Sequence, residues 1–364
     1  QRVRPAPAVK RRRSLSREIK TKVMLALVLT LGGFLFKDQF ARLAQPLPGA
    51  LVTGAISPND SGRRITQTQA FRAHDGAIDA MASSGNGQLI VTAGSDRQLK
   101  VFEAATQTLK GTTSLEGGMA TSLNVRNNRV VTGHADGSVA IYDLETLRRL
   151  YTFKRSDESV WAVAFAGSED LIAAAGDDRT VSLWQTGAAT APSAFLDGQR
   201  GNVMALAADP AGRWLAAGGG DNQVRLWNLD RQTLRRTLRG LPAAASALAF
   251  SGDGDVVAAG ASNGSVRLWR AATGRGIRTL LGHTARITAI AFSAGDAIVA
   301  TADAAGAVRV RALNPRGIYG ALEGLGPGAR ALAFSGDGQT LLTGGLDGMV
   351  RIWPVPQPVV AHRD

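Results

Sequence analysis

Asp221-Asn-Gln-Val-Arg-Leu-Trp227 is the stretch on which the fold turns. It opens on a polar turn former, alternates polar Gln223 and Arg225 with apolar Val224 and Leu226, and closes on an aromatic. Period-two alternation after a turn residue predicts a strand entering from a tight turn. The same pattern stands at Asp96-Arg-Gln-Leu-Lys-Val-Phe102, Asp136-Gly-Ser-Val-Ala-Ile-Tyr142 and Asp178-Arg-Thr-Val-Ser-Leu-Trp184. It returns at Asn263-Gly-Ser-Val-Arg-Leu-Trp269, at the degenerate Ala305-Gly-Ala-Val-Arg-Val-Arg311 and at Asp347-Gly-Met-Val-Arg-Ile-Trp353. The first positions are spaced 40, 42, 43, 42, 42 and 42 residues apart. Between them lie short apolar runs such as Ala247-Leu-Ala-Phe250, Gly-Asp-Gly turns, and runs such as Asp255-Val-Val-Ala-Ala259. Each unit therefore reads as short strands separated by turns, repeated seven times.

With that period, and Gly-His remnants at Ala73-His74 and Gly282-His283, the chain resembles the WD40 repeat family over roughly residues 64–354. The resemblance implies an all-β fold, a seven-bladed β-propeller. Stacking physics agrees: one small sheet cannot bury both faces, whereas a closed ring of sheets can. Family members complete the last blade with a strand from the start of the domain. Here Pro354, Pro356 and Pro358 lack the backbone donors a further strand needs, so residues 65–71 are the expected donor.

Composition narrows the chemistry. The 364 residues contain no Cys and four His (His74, His134, His283 and His362), which leaves no disulfide framework, thiolate metal site or cysteine nucleophile within the chain. No phosphate-binding loop, dinucleotide fingerprint, zinc-protease helix or serine-hydrolase elbow is present. No cofactor, metal site, catalytic set or small-molecule substrate is expected. The net charge of +13 is uneven: residues 1–22 carry nine Arg/Lys and one Glu, whereas residues 65–364 carry 29 basic and 26 acidic residues. The basic excess belongs to the tail, so no nucleic-acid partner is expected for the body.

Residues 1–22 form that basic tail. Val23–Phe36 follows, uncharged and bracketed by Lys22 and Lys37. Fourteen helical residues span about 21 Å, short of a ~30 Å hydrocarbon core. A helix extended over Ile19–Leu43 is long enough if Lys20, Lys22, Lys37 and Arg42 snorkel to the interfaces. Residues 23–43 are read as a signal anchor, the alternatives being a cleaved signal peptide or an interfacial helix. The basic tail sets the N-terminus inside and the body outside. Residues 44–63 read as a Pro/Gly/Ser-rich stalk, 64–354 as the propeller and 355–364 as a Pro-rich tail.

The family resemblance also implies bracing networks of His, Ser/Thr, Asp and Trp. His74, Thr92 and Asp96 match in the first unit, where Phe102 ends the network for want of an N–H. His283 and Thr301 match in the sixth, where Ala305 and Arg311 replace Asp and Trp. Trp184, Trp227, Trp269 and Trp353 fill the Trp position elsewhere. Lys100, Arg225, Arg267, Arg309 and Arg351 recur two places before the aromatic position and read as side chains packed beside it. The adjacent acids Glu169-Asp170 and Asp177-Asp178 read as turn residues, and His134 as a residue of a surface turn.

Family members often bind partners at the mouth of the central channel. Five residues past the His position stand Asp79, Met119, Trp161, Met204, Ser246, Thr288 and Arg330. Met119, Trp161 and Met204 offer an apolar anchor over the second to fourth units, with Asp177, Asn202, Arg286 and Arg330 as a polar rim. The leading functional expectation is a non-catalytic, membrane-anchored, single-pass scaffold for a multi-protein complex at a bacterial inner membrane, with the propeller periplasmic. The alternative is the recognition half of a larger enzyme, such as a caspase-like peptidase or a kinase. The Ala/Gly/Arg-rich repeats underlie the bacterial reading.

Overall fold

The computed structural model describes residues 63–187, 191–313, 319–322 and 328–355. They form seven sheets, the blades, each built on four antiparallel strands and numbered here in chain order. Blade one runs Ile78–Ser83, Leu89–Gly94, Gln98–Glu103, Leu109–Ser114 from its inner to its outer strand. The inner strands of blades two to seven are Ala120–Arg126, Val160–Phe165, Val203–Ala208, Ala245–Phe250, Ile287–Phe292 and Ala329–Phe334. Each inner strand packs on that of the next blade, and that of blade seven packs on that of blade one, so the ring is closed. Among the described residues no helix is long and apolar enough to cross a membrane. The expected anchor over residues 23–43 lies outside the described residues.

The recurring turn explains the recurring Asp. The residue after it takes a left-handed φ, between 61° and 87° at Arg97, Gly137, Arg179, Asn222, Gly264 and Gly348. The preceding carboxylate or amide oxygen accepts the N–H two residues on: Asp96 from Gln98 at 3.1 Å, Asp221 from Gln223 at 3.1 Å, Asn263 from Ser265 at 3.2 Å. This is an Asx turn, which holds the hairpin with a side chain rather than with glycine alone. Blade six lacks it at Ala305. There Asp303 reaches forward from the preceding strand and accepts from Ala305 and Ala307 at 3.1 and 2.9 Å.

The core lies in the seams between blades. Trp184, Trp227, Trp269 and Trp353 are at most 3% exposed, and each packs between its own blade and the one before. Burying one such ring contributes about 3 kcal/mol. Phe102 and Tyr142 do the same for blades one and two. Small residues let the blades approach: a Cβ on Gly260 would lie 2.3 Å from Cγ2 of Ile287 in the next blade.

Ring closure differs in detail from expectation. Gln69–Arg72 pairs antiparallel with Met349–Ile352 and completes blade seven. Residue 65, however, does not join it. Arg63–Ile65 lies parallel to Gly320–Leu322 as a fifth strand of blade six. Ile65 is 5% exposed and packs in the core between blades six and seven, which ties the segment to both.

Candidate functional site

Every inner strand carries a β-bulge at its second residue. In blade one Ile78 pairs with Gly94 and Ala80 with Ala93, so Asp79 is skipped. The same step skips Thr121, Trp161, Met204, Ser246, Thr288 and Arg330. A bulge re-aims one side chain. Here it gathers seven of them at the ring end where the inner strands begin.

Met119 is not among them. It lies in the loop ahead of the inner strand of blade two, 43% exposed, and Thr121 holds the bulge. Counting by the repeat misses this because blade two is two residues short. The deletion falls after the strand, in the two-residue hairpin Asn127-Asn128, and not before it.

Four bulge residues bind the neighbouring blade. The Thr121 hydroxyl donates to the Val160 carbonyl, Ser246 to that of Ile287 at 2.6 Å, and Thr288 to that of Ala329 at 2.8 Å. Arg330 of blade seven donates to Asp79 of blade one at 2.6 Å. Burial pushes the Asp79 carboxyl up, opposed by the charge of Arg330, and its Oδ2 is buried without a donor.

Trp161 and Met204 make no such bond. The Trp161 indole N–H donates to Asp177 of its own blade at 2.8 Å, and 40% of the residue is exposed. Met204 is half-buried and has no polar hydrogen to give. Asn202 lies against the 219–220 turn, its backbone carbonyl accepting the N–H of Gly220 at 2.9 Å. Arg286 precedes the inner strand of blade six. Its carbonyl accepts from Ala304 at 2.9 Å while its side chain remains exposed. Surrounding protein and the charge of Arg330 hold its guanidinium below the usual arginine range, although solvent still reaches it.

The histidines brace the same end of the ring. His74 donates from Nδ1 to Asp96 at 2.8 Å, and the Thr92 hydroxyl lies 2.8 Å from Nε2. His283 repeats this with Thr301 at 2.8 Å, but its carboxylate is Asp303 at 2.9 Å, a residue the motif count overlooks. His134 is not in a surface turn. It is fully buried, with Nε2 2.9 Å from the Thr132 hydroxyl. It stands where blade one has Gly94, and its ring enters from the second strand the space that His74 fills from the loop. Both glycines keep that space clear: a Cβ on Gly94 would meet the His74 ring at 2.5 Å, and one on Gly117 the His134 ring at 2.7 Å. Burial lowers the pKa of all three rings.

In blade three Arg155 takes the histidine's place, donating to Asp178 at 2.6 Å, to Ser182 at 2.8 Å and to Thr180. Its signal was a spacing of 23 residues to the turn Asp, against 22 for His74. Trp184 donates to Ser182 at 2.9 Å and Trp353 to Thr343 at 3.0 Å. The basic positions are engaged locally: Lys100 on the Ala73 carbonyl, Arg225 on Asp221, Arg267 over the Trp269 ring, Arg309 on the Gly282 carbonyl, Arg351 on Asp347. Glu169 and Asp170 pair with Arg129. Among the described residues no three His, Asp or Glu side chains are gathered so as to hold a metal ion.

Seven blades closed into a ring, with a mouth of mixed polar and apolar side chains, define a β-propeller. The sequence pattern described as "WD domain, G-beta repeat" matches residues 65–103, 147–185, 191–228, 232–270, 274–310 and 324–354, and the chain belongs to the WD40 repeat family. The unmatched stretch between the first two segments holds the inner three strands of blade two, which fold as the others do. The chain is 24% identical over 196 residues to WD repeat-containing protein AAC3 of Dictyostelium discoideum, covering 51% of this chain and 40% of that one. It is 28% identical over 196 residues to protein transport protein SEC31 of Chaetomium globosum (50% and 15%), and 24% identical over 234 residues to autophagy-related protein 16 of Arabidopsis thaliana (60% and 45%). The matched regions span less than half the length of each of these relatives.

Proposed function

We propose that this protein is a non-catalytic scaffold that captures a protein segment at the channel mouth over blades two to four. Trp161 is the anchor, Met204 widens the apolar floor, Met119 flanks it from its loop, and Asp177 and Asn202 rim it. One observation carries the reading. Where other bulge positions serve the ring, Trp161 and Met204 leave the next blade unbonded and present apolar surface instead. Exposed apolar groups gathered in a concave mouth mark a contact. The apolar stretch 23–43 behind a basic tail supports the rest of the proposal: a bacterial inner-membrane anchor, N-terminus cytoplasmic, propeller periplasmic.

The test is co-purification of crosslinked partners with the full chain and with Trp161→Ala. Loss of a hot-spot Trp costs about 2–4 kcal/mol, a fall of roughly 30-fold or more in affinity. Partners retained undiminished by Trp161→Ala would remove this site. Release of the protein from membranes by carbonate would remove the anchor.

A further inference from the structure

Resting on that reading, we infer that the mouth also holds a single carboxylate of the docked segment, on Arg286 and Arg330 across the channel from Trp161. In a ring of seven, blade three faces the seam between blades six and seven. Arg286 immediately precedes the inner strand of blade six, and Arg330 is the second residue of that of blade seven. The apolar anchor and the two guanidinium groups therefore oppose each other across one opening.

The charge count selects the ligand. Arg330 is bonded to Asp79, whose side chain is 7% exposed, so this pair is internally neutral. Arg286 is exposed, and among the described residues nothing accepts a hydrogen bond from its side chain. The cluster keeps one uncompensated positive charge, which matches a monoanion and not a dianionic phosphate. A guanidinium presents parallel N–H donors to a carboxylate, and a second cation beside it strengthens the field. On the far side Asp177, exposed and holding the Trp161 indole, repels the same carboxylate. A segment bearing an acidic and an apolar residue is thereby seated in one direction only.

A displayed library of random linear peptides, selected on the full chain, tests this. The expected survivors carry Asp or Glu at a fixed separation from an aromatic or large aliphatic residue. In titrations, changing that acid to its amide, or Arg286→Ala in the protein, weakens binding roughly five- to fiftyfold. The two changes together cost no more than either alone, and Arg286→Glu turns the preference toward Lys or Arg. Thermal melts serve as the control; the exposed Arg286 side chain leaves them unmoved.

Survivors without acid enrichment, or an enrichment indifferent to Arg286→Ala, overturn the inference. If those peptides are still released by Trp161→Ala, the docking reading stands without it. Peptides sensitive to Arg286 but not to Trp161 support the carboxylate site and remove the anchor. Tighter binding with phosphoserine in place of the acid overturns the single-charge assignment. A library yielding no peptide sensitive to either residue overturns both.

Discussion

Trp161→Thr separates a binding residue from a core residue. At the equivalent bulges of blades two and six, Thr121 and Thr288 reach carbonyls of the next blade. A threonine at 161 is therefore placed to reach the carbonyl of Val203. With 40% of Trp161 exposed, about three-fifths is covered, so about 2 kcal/mol of burial is at stake against about 3 for a fully enclosed ring. Loss of the indole bond to exposed Asp177 adds about 0.5 kcal/mol, and the new hydroxyl bond returns about 1. The net cost is about 1–2 kcal/mol, a fall of roughly 2–3 °C in Tm for a domain of this size. Trp353→Thr is the control. That ring is fully buried and bonded to Thr343, and its loss costs about 3–5 kcal/mol. Urea melts followed by circular dichroism compare the two under identical conditions. If Trp161→Thr destabilises as much as Trp353→Thr, Trp161 is part of the core and the division of the mouth into positions that bond the next blade and positions that anchor a partner is wrong.

Three further outcomes follow from the bracing groups and the ring closure. Burial holds His74, His134 and His283 below the ordinary value of 6.5, so the folded state binds fewer protons than the unfolded chain. Their stabilising contribution is present above that value and is lost as pH falls beneath it, at up to about 1.4 kcal/mol per pH unit per ring. Urea midpoints that stay flat from about pH 7.5 to 5.5 would contradict this. Asp303→Ala strips the acceptor from His283 and from two backbone N–H groups, and should cost roughly 2–4 kcal/mol; a urea melt within about 1 kcal/mol of the parent would refute its role. A chain starting at residue 67 loses the Ile65 burial, about 2 kcal/mol, but keeps a cooperative melt. A chain starting at residue 73 also loses Phe71 from beside Phe102, 4.9 Å between ring centroids, and hydrogen exchange should show protection in Met349–Ile352 reduced to the amides that face Thr340–Gly345.

Blade number, the strand ending in the aromatic and the donor of the last outer strand were legible, because each follows from a turn residue at fixed spacing or from prolines that cannot pair. What escaped was whatever depends on where within a repeat a deletion falls, or on which side of a loop a group enters. Spacing alone places Met119 in the mouth, because it does not say that the two missing residues fall in the hairpin after the strand. Asp303 and His134 do the expected jobs from unexpected backbone positions, since a buried space needs filling and does not specify the direction of entry. The bulges themselves leave no trace in residue types: Asp, Thr, Trp, Met, Ser and Arg all occupy them.

The N-terminal segment stitches two blades in series, and this has a mechanical consequence. A pull on the chain ahead of residue 63, along the strand axis, meets first the parallel pairing of residues 63–65 with 320–322. In that geometry the ladder is sheared as a block and not peeled rung by rung. Only after it yields does tension reach Gln69–Arg72, the strand that closes the ring. The fifth strand of blade six thus takes up a pull on the N-terminus before the strand that closes the propeller does.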